Sequence, residues 1–307
     1  MTDLRVAGRT WAPPFPLDLG AVLGPLRRGP GDPSFRTATG SGADAGVWLT
    51  ANTPAGPGTL RVRRGDAVEA EAWGPGADWL LDGLPALLGA SDDDSAFECH
   101  HRLVAEVRRR RPGLRLSATG RVWDALLPAV LEQKVTGTEA HRSYRELCLR
   151  FGTAAPGPLP DLRVPPTPRA ILSITDWEWH RAGVDGTRRR ALVAAARVAH
   201  RLEDACALGG EAGRALLRKV PGIGAWTAAE VAQRAWGDAD AVSFGDFHVA
   251  GLVGWALLGR RVDDDAMAAE LAVYAPQRQR AVRYVLAAGL GKPRFGPRFS
   301  PRDHRAL

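Results

Sequence analysis

The sequence predicts a small α+β domain followed by an all-α region. In the first 95 residues, apolar and polar side chains alternate in short stretches between glycine- and proline-rich segments, a pattern typical of strands and turns. After residue 95, apolar side chains recur at helical spacing. The 307 residues also suggest two or three domains, at roughly 100–200 residues each. We therefore assign an α+β domain to residues 1–95, an all-α region to 96–292 and a basic, disordered tail to 293–307.

The first domain is predicted to contain an antiparallel sheet with one short helix. Residues 46–50 have the composition of a strand. Residues 60–63 and 68–73 alternate apolar with polar side chains on either side of a turn, which predicts a hairpin. Residues 17–26 form a short helix in this interpretation, and 10–16 an irregular entry.

The second region is predicted to be helical throughout. A capped helix follows the polar run at 91–95 and stops before Pro112, after a basic cluster that suits a helix C-terminus. Apolar residues cover one broad face of 122–131. The remaining elements are helices at 143–151 and at about 188–207, a pair flanking 221–224, further helices to about 288, and a proline-rich loop at 152–168.

Composition and charge exclude several classes of protein. With 45% hydrophobic and 24% charged residues, the chain is not globally disordered. It has no apolar run approaching 18 residues and no secretion signal, so we expect a cytoplasmic protein without a membrane partner. The three cysteines form no C-x-x-C pair, which argues against a zinc ribbon or a cysteine-ligated cluster. The net charge of +7 permits a phosphate-bearing partner without requiring one.

The most informative segment is the turn Pro221-Gly222-Ile223-Gly224 between two predicted helices. Two glycines let the backbone approach a partner closely. Amides at the N-terminus of the following helix have no partner within the helix and can bind phosphate. We expect the amides of Gly222 and Gly224 to do so, with Thr227 donating from its amide or hydroxyl. An ordinary tight helix–helix turn is the alternative.

The sequence V-P-G-I-G-A-W-T-A resembles the helix-hairpin-helix motif of the DNA glycosylase superfamily. The motif spans about 212–237, and a segment at 241–250 follows at the distance where that superfamily has a catalytic aspartate, which places Asp246 at that position. Residues 111–116 and 129–135 resemble bacterial DNA-3-methyladenine glycosylase II. The resemblance covers about residues 12–290. It implies a pair of helical domains, double-stranded DNA with damaged bases as the partner, and a monomer.

The resemblance also implies a reaction. Asp246 would stabilise the oxocarbenium-like sugar and orient water while a flipped alkylated purine leaves. Alternatively, Asp246 is only a helix N-cap, and both roles are compatible. Bifunctional relatives have a lysine where this chain has Trp226, and none of the three lysines is at that position. We therefore expect base excision that leaves an abasic site, without lyase activity and without a catalytic cofactor.

Several substrate-binding positions depart from the resemblance. Trp226 would stack on the base, or pack in the core. Lys134, after Gln133, is at the position of the residue that fills the gap left by the flipped base, which is usually apolar. Glu230 replaces a tyrosine of the base pocket, and Leu286 aligns with a tryptophan of that pocket. The carboxylates of Glu132 and Glu230 would accept hydrogen bonds from an exocyclic amine of the base or attract a cationic base. Alternatively, they form ion pairs within the protein. The other aromatic side chains, Phe247 among them, are expected in the core.

By resemblance alone, the carbonyls of Arg218, Val220 and Ile223 would hold a structural Na⁺ or K⁺ ion. Two alternatives to alkylpurine excision stay open. One is a glycosylase for another lesion, such as a deaminated purine. The other is an inactive module that binds DNA or lesions.

Overall fold

The computed structural model describes residues 6–40, 42, 44–291 and 303. Apart from Asp303, the predicted basic tail at 293–307 lies outside these residues. No helix within them is both long and apolar enough to cross a membrane.

The N-terminal part contains an antiparallel sheet of five strands in the order β1-β5-β4-β3-β2. The predicted hairpin is confirmed and forms the centre of the sheet. The prediction of an irregular segment from residue 10 is wrong in its first two residues, because β1 extends to Trp11 and pairs along its length with β5. This edge strand has no buried residue, so its own sequence carries little strand signal. The strands are β1 (Val6–Trp11), β2 (Phe35–Ala38), β3 (Gly46–Thr53), β4 (Gly56–Arg64) and β5 (Val68–Trp73).

Short helices cover the sheet and enclose a first core, which includes Leu23, Leu60 and Leu84. The predicted helix at 17–26 is present as an α-helix followed by a 3₁₀ turn, Gly24–Leu26. The helices are α1 (Leu19–Leu23), α2 (Ala77–Asp82) and α3 (Leu84–Leu87).

The region after residue 95 contains two helical cores. The larger is built from residues 122–235 and includes Leu126, Leu192 and Val231. The second combines residues 97–114 with 242–288, so the chain leaves this core and returns to it after building the first. Its helices are α4 (Arg102–Arg110), α13 (Val249–Leu258), α14 (Asp264–Leu271) and α15 (Arg278–Ala287), with a 3₁₀ turn at Ala272–Tyr274.

The helix predicted at 122–131 has the expected bounds, and two other predictions need correction. The helix at 188–207 is interrupted at Glu203, whose carboxylate accepts hydrogen bonds from the first amides of the 122–131 helix. The loop at 152–168 contains a pair of two-residue strands, β6 (Thr153–Ala154) and β7 (Arg163–Val164), so the region is not entirely α. The helices are α5 (Val122–Leu131), α6 (Gly137–Phe151), α7 (Pro168–Leu172), α8 (Asp176–Arg181), α9 (Gly186–Leu202), α10 (Asp204–Leu208), α11 (Gly210–Arg218) and α12 (Ala225–Ala235).

The helix predicted directly after residue 95 begins later, at Arg102. The carboxylates expected to cap it bind arginine side chains instead, one in the last turn of α4 itself and one in α15. Asp94 pairs with Arg108 at 3.0 Å, and Asp92 pairs with Arg280 of α15. Residues 91–101 therefore form turns that connect the first domain to the second helical core.

Candidate active site

The turn between α11 and α12 exposes the N-terminus of α12. No side chain caps this helix, and the turn is exposed apart from Val220 and Ile223. Within the described part of the chain, the amides of Gly222 and Gly224 donate no hydrogen bond. Such amides are suitable donors for an anion.

The fold requires glycine at only one of the two glycine positions in the turn. Gly222 has a φ of +88°, and a Cβ there would lie 2.7 Å from the Cβ of Ala191, so the fold itself requires glycine. Gly224 has a φ of −92°, and a Cβ there would meet nothing within 4 Å. The fold therefore does not require glycine at 224.

Gln133 connects the end of α5 to this turn. Its side-chain amide donates to the Gly222 carbonyl at 3.0 Å and to the Thr227 hydroxyl at 2.8 Å. Thr227 is only 2% exposed. The predicted phosphate contact through the Thr227 hydroxyl is therefore wrong, because that hydroxyl is inside the protein, and only the amide remains a predicted donor.

Lys134, the next residue, is exposed with a φ of +53°. It is the one residue other than glycine with a positive φ across the described ranges. Side chains with a Cβ seldom adopt this conformation, and where they do it often marks a functional site. The preceding residue, Gln133, is anchored to the turn by its side chain, so Lys134 is held beside the turn as well. Its role as a wedge stays a prediction.

Asp246 makes the capping contacts considered for it, while its catalytic role stays a prediction. Its Oδ1 accepts hydrogen bonds from the amides of His248 at 2.7 Å and Val249 at 3.0 Å, at the start of α13. Its Oδ2 accepts from the indole nitrogen of Trp226 at 3.3 Å. Three donors from two helices thus fix a half-buried carboxylate. Trp226 orients this carboxylate, while stacking of Trp226 on a base stays a prediction.

A cavity of about 150 Å³ lies between the first domain, α12 and α15, and Asp246 is not among the residues that line it. Val249, whose amide binds Asp246, forms part of its wall. Glu230 and Leu286, the positions where the resemblance implied a tyrosine and a tryptophan, also line this cavity. Its described walls contain no aromatic ring. A cavity of this volume accommodates one aromatic ring in other proteins.

The carboxylates of Glu230 and Glu132 are both engaged within the protein. Glu230 binds Arg234 at 2.7 Å and accepts from the Ser243 hydroxyl. Burial opposes the charge of Glu230, but Arg234 and these hydrogen bonds hold its pKa below the usual range. Glu132 pairs with the buried Arg28 at 3.1 Å and does not line the cavity. Both carboxylates therefore form ion pairs within the protein, which is the second of the two alternatives considered for them. Of the two, Glu230 also lines the cavity.

The structure reveals site residues that sequence reasoning missed. Ser117, Gln279 and Arg283 line the cavity from segments that carry no motif, so no sequence signal marked them. Phe247, expected in the core, is 71% exposed directly after Asp246, so that expectation is wrong. Its ring lies edge-on to the His248 ring, with centroids 5.0 Å apart. A single apolar residue type does not specify burial.

Comparison with known proteins gives likenesses of fold. No family model matches the sequence, and no curated protein matches it. Among solved structures, the 3-methyladenine DNA-glycosylase of Archaeoglobus fulgidus has a TM-score of 0.72 at 15% identity, covering 92% of this chain and 98% of that chain. A structure of MBOgg1 in complex with a low-affinity DNA ligand has 0.69 at 13% identity, over 94% and 98%.

The 8-oxoguanine glycosylase/lyase of Clostridium acetobutylicum, in its apo form, has a TM-score of 0.67 at 11% identity, covering 89% of this chain and 93% of that chain. These three likenesses extend over both the sheet and the helical cores. At such low identity they show the fold alone. The chain therefore adopts the fold of these helical DNA glycosylases, as the sequence resemblance implied.

Proposed function

We propose that this protein is a monofunctional DNA glycosylase that acts in base excision repair. The observation that carries the proposal is the Asp246 carboxylate, which two amides and the Trp226 indole fix at the start of α13, where Val249 also lines the cavity. A fixed negative group of this kind stabilises positive charge that develops in a transition state. The shared fold supports a DNA glycosylase, whereas the absence of a lyase step is inferred from Trp226 alone.

The proposed reaction is hydrolysis of an N-glycosidic bond. The bond between C1′ and the base nitrogen breaks, and its electron pair leaves with the base. Asp246 stabilises the resulting cationic sugar and orients a water molecule, whose oxygen bonds to C1′. One proton of that water is released, and the leaving base takes up a proton. The products are the free base and an intact strand with an abasic site.

Trp226 excludes the alternative chemistry at this position. A lyase step needs an amine that forms a Schiff base with the sugar, and an indole nitrogen cannot do so. We expect wild-type protein to release free base from a lesion duplex while the strand stays intact until alkali is added. Borohydride should trap no protein–DNA adduct, on this duplex or on one with a synthetic abasic site. Strand cleavage without alkali, or a trapped adduct, would show a lyase and contradict the monofunctional assignment.

DNA would bind at the helix-hairpin-helix formed by α11, the turn and α12. The open amides of Gly222 and Gly224 would contact a phosphate, and the exposed side chains of Lys134 and Lys219 add positive charge nearby. This arrangement positions a duplex without reading its sequence, as excision at any site in a genome requires.

Replacing Gly224 with alanine tests this interface. The change should leave the melting temperature unchanged, because the added Cβ meets no atom within 4 Å. DNA affinity should fall about tenfold, because the added methyl group keeps the phosphate away from the amide and weakens about one hydrogen bond to a charged group. Gly65→Ala is the matched control, since its Cβ would make only an ordinary contact at 3.8 Å in a turn of the first domain. Equal affinities for both variants would remove the hairpin from the interface.

We also propose that a monovalent cation binds at this turn. The donors would be the carbonyl oxygens of Arg218, Val220 and Ile223, which are neutral oxygen ligands suited to an alkali ion. The Val220 carbonyl accepts a hydrogen bond from the Ile223 amide at 3.0 Å and keeps a second lone pair. The ion would supply a positive charge to the neighbouring phosphate.

Two classes of damaged base are candidates for the substrate. The resemblance implies an alkylated purine, and a deaminated purine is the alternative already considered. An inactive binding module is the other alternative, and the hydrogen bonds that hold the Asp246 carboxylate favour the enzyme over it.

A further inference from the structure

Side chains of two helices bind the segment that carries Asp246. Gln233 of α12 donates to the Ser243 hydroxyl at 2.8 Å. Asp264, in the first turn of α14, accepts at its Oδ2 from the Gly245 amide at 2.7 Å. Gly245 directly precedes Asp246, so the contact from α14 acts on the backbone next to the proposed catalytic residue.

Packing does not fix the conformation of Gly245. Its φ is +87°, and a Cβ at this position would meet no atom within 4 Å. A glycine without packed neighbours has a wide choice of backbone conformations, so hydrogen bonds must set the one it adopts. The hydrogen bond to Asp264 restrains Gly245 directly, and the bond from the Asp246 amide to the Ser243 carbonyl at 3.2 Å closes the turn around it.

The carboxylate of Asp264 is placed at a cost to stability. Its Oδ1 is buried and makes no hydrogen bond within the described residues. A buried acceptor without a partner is unfavourable. The helix does not need Asp264 as a cap either, because Asp263 caps α14 by accepting from the Ala266 amide. An unfavourable placement of this kind is typical of residues that serve a function.

We propose that Asp264 is a positioning residue for Asp246. The Trp226 indole and the two amides at the start of α13 bind the carboxylate end of Asp246, and Asp264 holds the backbone from which this side chain begins. In this role Asp264 touches neither the base nor the sugar and acts through Asp246 alone. This inference rests on the proposed function and adds a residue to its mechanism.

Loss of this restraint should slow the chemical step. Without the Asp264 acceptor, the exposed Gly245 amide binds water instead, and the backbone before Asp246 is free to shift. A carboxylate stabilises the cationic sugar only from the correct position, and a displacement of about 1 Å can lower an enzymatic rate by up to about 10²-fold. DNA affinity should not change, because Asp264 lies outside the hairpin.

The test measures single-turnover base release at increasing protein concentration, which gives a maximal rate and a half-saturating concentration. The duplexes contain one 7-methylguanine or one hypoxanthine, and the variants are compared on a duplex on which the wild type acts. Asp264→Ala should lower the maximal rate about tenfold and leave the half-saturating concentration unchanged. A residue that contributed to DNA binding would change the half-saturating concentration instead.

Asp265→Ala is the matched control. Asp265 is exposed in the same turn of α14, so this variant removes the same charge from the helix N-terminus and keeps the contact between Asp264 and Gly245. Its maximal rate should equal that of the wild type. The two alanine variants should have the same melting temperature, because water can bind the Gly245 amide that Asp264→Ala leaves free.

Asp264→Asn separates the hydrogen bond from the charge. Its side-chain carbonyl can still accept from the Gly245 amide, so the maximal rate should stay within about threefold of the wild-type rate. Hydrogen exchange of the Gly245 amide, followed by NMR, tests the contact itself. Exchange should be faster in Asp264→Ala and unchanged in Asp265→Ala.

Equal maximal rates for Asp264→Ala and Asp265→Ala would overturn this inference and leave the glycosylase proposal intact. The same holds for a melting temperature that only Asp264→Ala lowers, for equal exchange of the Gly245 amide in both variants, and for an Asp264→Asn rate as low as that of Asp264→Ala. A wild type that binds both duplexes and releases neither base would refute the proposed function and this inference together.

Discussion

Replacing Asp92 with alanine should lower the free energy of unfolding by about 3–5 kcal/mol. Asp92 and Arg280 are both almost fully buried, and Asp92 Oδ2 accepts from Arg280 Nη1 at 3.0 Å and from the Leu116 amide at 2.8 Å. The variant leaves the Arg280 guanidinium buried without a carboxylate, and its remaining hydrogen bonds within the described residues go to the Asp93 carbonyl and the Gln277 side chain. Urea denaturation followed by circular dichroism measures the loss.

A control variant at a surface aspartate separates the loss of a buried ion pair from the loss of any carboxylate. Asp161 pairs with Arg36 at 3.6 Å at the surface, so Asp161→Ala should cost only about 0–1 kcal/mol. Combining Asp92→Ala with Arg280→Met should cost less than the sum of the single changes, because no charge is left unpaired. Additive losses, or a small loss for Asp92→Ala, would show that the pair does not connect the first domain to α15.

Elements defined by their own residues were predictable from the sequence. The α5 helix has the predicted bounds, 122–131, because its apolar residues repeat over nearly three turns and it is buried on most sides. The hairpin of β4 and β5 was predicted because its alternation and turn are local. The start of α4 was not, because the carboxylates that would have capped it bind arginine side chains, Asp94 that of Arg108 in the last turn of α4 and Asp92 that of Arg280 in α15. The interruption at Glu203 likewise depends on contacts with another helix.

The same distinction applies to the site. The turn at 221–224 and Asp246 were identified because backbone motifs and their spacing are visible in one stretch of sequence. The cavity was not, because its walls come from the first domain, α12 and α15, which only the folded chain brings together. Arg283 lines this cavity, and nothing in its own segment of sequence indicates that it does.

Asp246→Asn should reduce the rate of base release by about 10²–10³-fold, the usual effect of removing one electrostatic contact to a transition state. The fold should be retained, because asparagine caps a helix about as well as aspartate and its Oδ1 can still accept from the His248 and Val249 amides. DNA binding should persist, since the hairpin is untouched. The variant therefore separates catalysis from capping.

Asp263→Asn is the matched control, because Asp263 caps α14 of the same helical core through a 3.0 Å hydrogen bond from the Ala266 amide, away from the cavity. The decisive measurement is single-turnover release of free base from a lesion duplex by the wild type and these two variants. We expect base release by the wild type and by Asp263→Asn, a rate about 10²–10³-fold lower for Asp246→Asn, and DNA binding by all three proteins. Equal release by all three proteins would contradict the role of Asp246, and no release by a wild type that still binds the DNA would contradict the glycosylase itself.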